Sequence, residues 1–257
     1  MKIITWNINS IRLRSPLIYK LLEQEKPDIL CLQECKSISE NIPFNVFKPL
    51  GYNHYASWGQ KSYNGVAIIS KVPFFNIEKI DFLNCNESRH ISVEINGITI
   101  HNFYFPAGGD IPNVNLNKKF DFKLKYIKDV EKYFKLQKPN KSILVGDLNI
   151  APEEDDVWNH KKLSNLVSHS KIEINYLIGM KESGNWVDIF RKHNPSGKYF
   201  SWWSYRSKNW QLSNKGRRLD HIWFSKNLKS SNSYILKEVR GWDKPSDHAP
   251  VVAELIK

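Results

Sequence analysis

Short apolar blocks alternate with polar and amphipathic ones from the first residues onward. Residues 2–8 read as a strand. Ser15-Pro16 then opens a helix, with serine at the N-cap and proline at the first helical position, burying Leu17, Leu21 and Leu22. Pro27 ends that helix, and 28–33 is a second strand, apolar on both faces. Further strands are predicted at 65–70, 91–95 and 98–104, with Asn96-Gly97 as the strongest hairpin-turn signal. Phe120, Leu124, Ile127, Val130 and Phe134 recur at helical spacing, so 117–136 is predicted as an amphipathic helix. Residues 142–145 form a buried strand running into Gly146-Asp147-Leu148-Asn149. A helix near 171–182, aromatic-rich loops and strands near 219–224, 234–239 and 249–255 complete the pattern. Strands dominate but helices intersperse them, which predicts an α/β sandwich of two packed sheets with helices on the outer faces. No linker, low-complexity tract or fixed-period repeat divides the chain, so residues 1–257 are expected to form a single domain.

Composition narrows the class. A 41% hydrophobic fraction is enough for a substantial core, and the apolar runs are strand-sized rather than membrane-spanning. The N-terminus lacks the apolar stretch and small-residue cleavage site of a signal peptide. Cys31, Cys35 and Cys85 are an odd number without a CxxC pair, which disfavours a disulfide framework or zinc site and points to a reducing, cytoplasmic setting. Cys31 and Cys35 read as small core residues. The 38 Lys and Arg against 26 Asp and Glu leave a formal charge of +12, which attracts polyanions. Nine tryptophans, several in basic surroundings, strengthen the case for nucleic acid, because rings and cations together suit bases and phosphates.

The chemistry sits where polar residues meet strand ends. Asn7 ends the first strand and Gln33-Glu34 the second, Asp147 and Asn149 follow strand 142–145, Asp220 lies at a late strand, and Asp247-His248 precedes the last. Glu34, Asp147, Asp220 and Asp247 are hard oxygen donors, which suit Mg2+ or Mn2+ rather than Zn2+. An aspartate near such an ion can orient or deprotonate water, and a histidine held by a second aspartate can stabilise charge on a phosphate. Taken singly, Gly-Asp-x-Asn or Ser-Asp-His-x-Pro is ordinary turn chemistry. Together and in this order they are not.

The segments Trp6-Asn7-Ile8-Asn9, Gln33-Glu34, Tyr104-Phe105-Pro106, Gly146-Asp147-Leu148-Asn149-Ile150, Arg218-Leu219-Asp220-His221 and Ser246-Asp247-His248-Ala249-Pro250 resemble the endonuclease/exonuclease/phosphatase superfamily. The run from Tyr199 through Trp202 and Arg206 to Lys208 is similar to its exonuclease III and apurinic/apyrimidinic-endonuclease branch, and the resemblance spans nearly the whole chain. It implies a four-layered α/β sandwich with two central mixed β-sheets flanked by helices. It implies Glu34 as principal metal ligand, with Asp247 at a second or alternative position and Asn7 at the metal shell or scissile phosphate. Asp147 would orient or activate water, Asn149 would hold Asp147, and His248 paired with Asp220 would stabilise the phosphate. Tyr104 would bind phosphate or assist the leaving oxygen.

The implied function is a Mg2+-dependent DNA phosphodiesterase of base-excision repair, with Mn2+ as substitute. Its substrate would be double-stranded DNA with abasic sites or 3′ ends, cut by a monomer with no membrane partner. Trp202 is expected to face the site and Trp203 to pack inward, while Arg206, Lys119, Arg12 and Arg14 are candidates for phosphate contacts. Asn9 and Leu219 complete the substrate surface. Asn9, Arg217 and Ala107-Gly108-Gly109-Asp110 depart from several relatives, around rather than at the hydrolytic centre. Otherwise Lys118, Lys123 and Lys125 mark a solvated helix face, and His101 and His169 read as structural. The competing reading is a same-fold phosphodiesterase or phosphatase acting on RNA or phospholipid headgroups. The short, basic chain shows no membrane-facing apolar loops, and no expected catalytic residue is missing, as a catalytically dead relative would require.

Overall fold

In chain order the strands and helices of the computed structural model are β1 Lys2–Asn7, α1 Ile11–Glu25, β2 Ile29–Gln33, β3 His54–Trp58, β4 Val66–Ser70, β5 Phe75–Glu78, β6 His90–Ile95, β7 Ile98–Tyr104, α2 Lys118–Gln137, β8 Ser142–Asp147, α3 His160–Leu163, α4 Lys171–Ser183, β9 Trp186–Asp188, α5 Ile189–His193, β10 Trp202–Trp203, α6 Trp210–Ser213, β11 Gly216–Arg217, β12 Asp220–Ser225, β13 Ser230–Ile235 and β14 Val251–Leu255. The structure describes residues 1–207 and 209–256. The strands form two six-stranded mixed sheets, ordered β13-β14-β1-β2-β4-β3 and β5-β6-β7-β8-β12-β9, and a small ribbon, β10-β11.

The period-two alternation of side chains along the strands builds the layers. Ile3, Ile29, Cys31 and Val66 of the first sheet meet Ile91, Val93, Ile143, Val145 and Ile222 of the second in one core between the sheets. The opposite faces are covered separately. Ile4, Trp6, Leu30 and Leu32 pack on Ile18, Leu21 and Leu22 of α1. Phe103, Leu144 and Trp223 pack on Phe120, Leu124, Ile127, Val130 and Phe134 of α2 and on Leu177 and Met180 of α4. The architecture is the four-layered sandwich that the sequence predicts. Among the described residues no helix is long and apolar enough to cross a membrane.

Asn117 caps α2 by accepting from the backbone amides of Lys119 and Phe120. The Asn96-Gly97 turn joins β6 to β7 with both residues at positive φ (52° and 73°). Helix α1 starts earlier than expected but kinks at Arg14, so Ser15-Pro16 begins its regular part. The strand expected at 234–239 lies instead at Ser230–Ile235, followed by a 3-10 turn at Lys237–Gly241. Its sequence, Ser-Ser-Asn-Ser-Tyr-Ile, is too polar to advertise a sheet edge, and the register slips between Ser230 and Asn232. Strands β3, β5 and β9 escaped the pattern because β3 and β5 are edges and β9 is three residues long.

Lys123 overturns the expectation of a solvated lysine face. Its neighbours Lys118, Lys119 and Lys125 are exposed, but its own side chain is buried against Glu173 at 2.6 Å. Position 123 lies three residues after Phe120 and four before Ile127, which puts it on the buried face of α2. His101 and His169 are structural as expected, each bonded to another histidine, His90 at 3.1 Å and His160 at 2.8 Å. Cys31 and Cys35 are buried and unpaired.

Candidate active site

Strand register carries the polar residues to one end of the sandwich. β1 and β2 run parallel with Asn7 opposite Gln33, so Glu34 emerges beside Asn7. In the second sheet Tyr104 of β7 pairs with Asp147 of β8, and Asp147 pairs with Asp220 of β12. The segment 246–248 enters β14, antiparallel to β1, and is tied down there. Ser246 Oγ donates to the Asn7 carbonyl at 2.7 Å and Trp6 Nε1 to the His248 carbonyl at 3.0 Å. Gly146, before Asp147, has φ 139°, and a Cβ there would lie 1.9 Å from the Phe103 carbonyl oxygen. Only glycine lets β8 approach β7 this closely at the site.

Asn7 Nδ2 donates to both Glu34 Oε1 (2.8 Å) and Asp147 Oδ2 (2.9 Å), joining the two sheets' carboxylates. Tyr104 Oη donates to the same Glu34 oxygen at 2.9 Å. The Asn149 backbone amide holds Asp147 Oδ1 at 2.9 Å and its side chain reaches Oδ2 at 3.3 Å. His248 Nδ1 lies 2.8 Å from Asp220 Oδ2, leaving Nε2 pointing toward Asp147 Oδ2 at 3.7 Å. Asp220 Oδ2 also accepts from Ser201 Oγ at 2.6 Å, a partner that no sequence signal announced. Lys36 is a second residue missed in the sequence. Its ammonium bonds Glu34 Oε2 at 2.7 Å and Asn9 Oδ1 at 2.6 Å, and standing two residues after Glu34 was its one available cue.

The electrostatics follow from burial and company. Burial pushes the Asp147 carboxyl up; His248 opposes this, but Asp220 and Glu34 reinforce it, and the group ends above the carboxylate range. Burial alone would lower His248, but Asp220 and Asp147 outweigh it and keep the imidazole protonated well past its ordinary range. Glu34 goes the other way, because Lys36 and Asn7 overcome the effect of burial. Burial, then Glu34 and Asp147, hold the Tyr104 phenol protonated.

Among the described residues Glu34, Asp147 and His248 offer ligand atoms all within 4.8 Å of one another. Among the described residues the four carboxylates Glu34, Asp147, Asp220 and Asp247 pair directly with two cations, Lys36 on Glu34 and His248 on Asp220 and Asp147, with Lys123 and Arg240 acting from behind on Asp147 and Asp247. One oxygen of Asp220 is buried without a partner. Oxygen donors with excess negative charge fit a hard divalent cation. Asp247 stands outside that group of three. Its two oxygens accept from Asn9 Nδ2 and Trp202 Nε1, each at 3.0 Å, so both are engaged by neighbouring side chains.

The outer residues divide. Trp203 is packed inward, as expected, while Trp202 is half-buried with its ring 5.6 Å from the Arg217 guanidinium. Leu219 is buried beside Trp202 with Ala151, Val157 and Leu163. Arg217 donates to the Val167 carbonyl at 2.9 Å and to Ser168 Oγ. Lys119 is exposed on a cleft of about 650 Å³ that runs from Tyr104 past Arg89, Gly108 and Lys118. Arg12 and Arg206 are exposed. Arg14 is not available to phosphate. It is buried, bonded to the carbonyls of Ile8, Asn9 and Lys244 and to Tyr205 Oη. Lys208, at the end of the aromatic–basic run, lies outside the described residues.

A four-layered sandwich with a carboxylate-rich, histidine-backed cluster at its strand ends defines a metal-dependent hydrolase of the nuclease class. The profile of the endonuclease/exonuclease/phosphatase family matches residues 4–248. Exodeoxyribonuclease III of Haemophilus influenzae is 32% identical over 99% of both chains. An AP endonuclease from Archaeoglobus fulgidus superposes with a TM-score of 0.93 at 32% identity, covering 100% of each chain. The 3′ phosphatase NExo from Neisseria, bound to a product DNA hairpin, gives 0.93 at 30% identity, again over 100% of each chain. The chain belongs to the endonuclease/exonuclease/phosphatase family, and within it to the exonuclease III group of DNA-repair nucleases.

Proposed function

We propose that the protein is a Mg2+-dependent phosphodiesterase of base-excision repair, with Mn2+ as a substitute. It degrades duplex DNA 3′→5′, nicks at abasic sites and trims blocked 3′ ends, as a cytoplasmic monomer. The observation that carries this reading is the pair of held groups facing one another: Asp147, fixed by Asn7 and Asn149, and His248, fixed by Asp220, 3.7 Å apart.

Each side chain has a distinct task. Glu34, with Asn7 at its side, holds the divalent ion, and Asp247 adds charge from outside that cluster. The bound ion supplies positive charge to a phosphate oxygen. Asp147 orients the attacking water and accepts its proton, a role suited to a carboxyl raised above its ordinary range. Asn149 keeps that carboxylate in line. The His248 imidazolium, charged because of Asp220, stabilises the negative charge that develops on the phosphate. The protonated Tyr104 phenol binds a phosphate oxygen or assists the leaving group. Trp202 and Leu219 form the wall against the sugar, while Lys119, Arg12 and Arg206 meet the flanking backbone, which the +12 charge attracts.

The test is an end-labelled duplex carrying one tetrahydrofuran abasic analogue, incubated with Mg2+ or with chelator. Internal nicking and 3′ erosion that both need the metal are expected. An intact duplex in Mg2+, or equal cleavage in chelator, overturns the proposal.

A further inference from the structure

Lys123 is shut away from water, and its ammonium group is fully used. It donates to Glu173 Oε2 at 2.6 Å, to the Asn149 carbonyl at 2.8 Å and to the Ala107 carbonyl at 3.4 Å. Both side chains of the Lys123–Glu173 pair are 0% exposed. Glu173 is anchored in turn, because its other oxygen accepts from Ser170 N (3.0 Å) and Ser170 Oγ (2.8 Å) in the capping box of α4. Burying such a pair is costly, and well-packed apolar residues often do as well or better for stability. The charge therefore calls for a reason other than holding the core.

That reason lies at the Asn149 carbonyl. Asn149 has φ 54°, in the left-handed region that asparagine adopts more readily than most side-chain-bearing residues, and the turn it makes is fixed by its contacts. Its amide and side chain grip Asp147, its Nδ2 also donates to the Phe105 carbonyl at 2.9 Å, and Lys123 pins its carbonyl. Gly108 leaves the lysine its path: at φ 90°, a Cβ there would stand 2.8 Å from Lys123 Cδ. A continuous line thus runs from the cap of α4 through Glu173, Lys123 and Asn149 to Asp147.

We propose that Lys123, braced by Glu173, is a positioning residue that locks the Asn149 turn and so aims Asp147 at the scissile phosphate. The proposal rests on the reading of Asp147 as the water-orienting group. The decisive variant is Lys123→Met with Glu173→Gln, which leaves no buried charge and keeps an acceptor for the α4 cap. Its thermal midpoint and duplex-DNA affinity should stay near wild type. Its kcat on the abasic duplex should fall roughly 10- to 100-fold, the scale of a small misplacement at a reacting centre. Amide hydrogen exchange at Asn149 should rise. Wild-type kcat in this variant reduces the pair to a core ion pair and overturns the proposal. If the double variant does not fold, Lys123→Arg decides. It keeps the charge and Glu173 but moves the donor from the Asn149 carbonyl, so it should lose kcat without losing stability, and unchanged kcat overturns the proposal. A wild-type protein that leaves DNA intact refutes the hydrolytic role instead, while exchange at Asn149 in the variants still reads the positioning.

Discussion

Asp147 and Asp188 are both buried aspartates of the second sheet, yet their carboxyls are driven in opposite directions. Burial raises both. At Asp188 the effect is overwhelmed by Arg218, 2.9 Å away, and by His221, so the group stays ionised well below the usual carboxylate range. The same network closes around Asp156, which pairs with Arg218 at 2.6 Å and Arg191 at 2.5 Å. There two arginines answer two aspartates. Among the described residues no arginine pairs with Asp147; it has one imidazole at 3.7 Å, the ammonium of Lys123 acting at longer range, and two carboxylates, Asp220 and Glu34, that raise it further. One cluster is neutralised internally and holds the fold together behind β12. The other keeps a demand for positive charge, which the proposed catalytic role uses.

The largest expected effect divides the two clusters. Asp147→Asn should cut kcat by about 10²- to 10⁴-fold, the range for loss of an acid–base group, with DNA binding kept or tightened and thermal stability held or improved. Asp188→Asn should do the reverse, costing about 1–3 kcal/mol of stability because Arg218 keeps Asp156 but loses the second of its two buried charge partners. Its kcat per folded molecule should stay at the wild-type value. Parallel melting curves and single-turnover rates read both, and equal losses of both quantities in both variants would erase the distinction.

The demand for a cation sharpens the contrast. Glu34→Ala should lower the rate in Mg2+ by roughly 10²-fold or more, and excess Mn2+, which binds such ligands more tightly, should restore part of it. A rate in chelator equal to that of the wild type in Mg2+ speaks against any metal role. Adding Mg2+ should raise the wild-type melting temperature but not that of Glu34→Ala.

Acid separates the clusters by sign. Asp156 and Asp188 are ionised below the unfolded carboxylate value, so their contribution is present above about pH 4 and is lost as pH falls toward their folded values. Asp147 is raised, so protonating it in acid relieves repulsion and does not unfold the protein. The decline of melting temperature below about pH 4 should therefore be shallower in Asp188→Asn and unchanged in Asp147→Asn. A decline equally steep in Asp188→Asn removes the network from the account of acid stability.

The smallest effects belong to the rim. Trp202→Ala should lose roughly 1–3 kcal/mol of preference for the abasic over the intact duplex. Arg206→Ala should weaken binding to both alike and lower the salt slope by about one unit. Arg217, beside the Trp202 ring, makes that wall polar, and unchanged lesion preference in Trp202→Ala would move the sugar pocket elsewhere.

The chemistry at strand ends was legible because it is local. Asn7, Glu34, Asp147, Asp220 and His248 each directly follow, end or precede an apolar run, and alternation in those runs predicts two sheets with helices outside. The polar edge strand Ser230–Ile235 was misplaced because an edge needs no apolar face to declare it. Contacts across long stretches of chain were invisible for a different reason. Ser201 on Asp220, Asn9 and Trp202 on Asp247, and Lys123 between Glu173 and Asn149 join residues up to 238 positions apart. Periodicity shows which face of an element is covered, but not which charge waits beneath it. Spacing from Phe120 and Ile127 separates Lys123 from Lys125, but only the packing of α4 on α2 brings Glu173 to Lys123 and makes it a buried brace, while Lys125 stays in water.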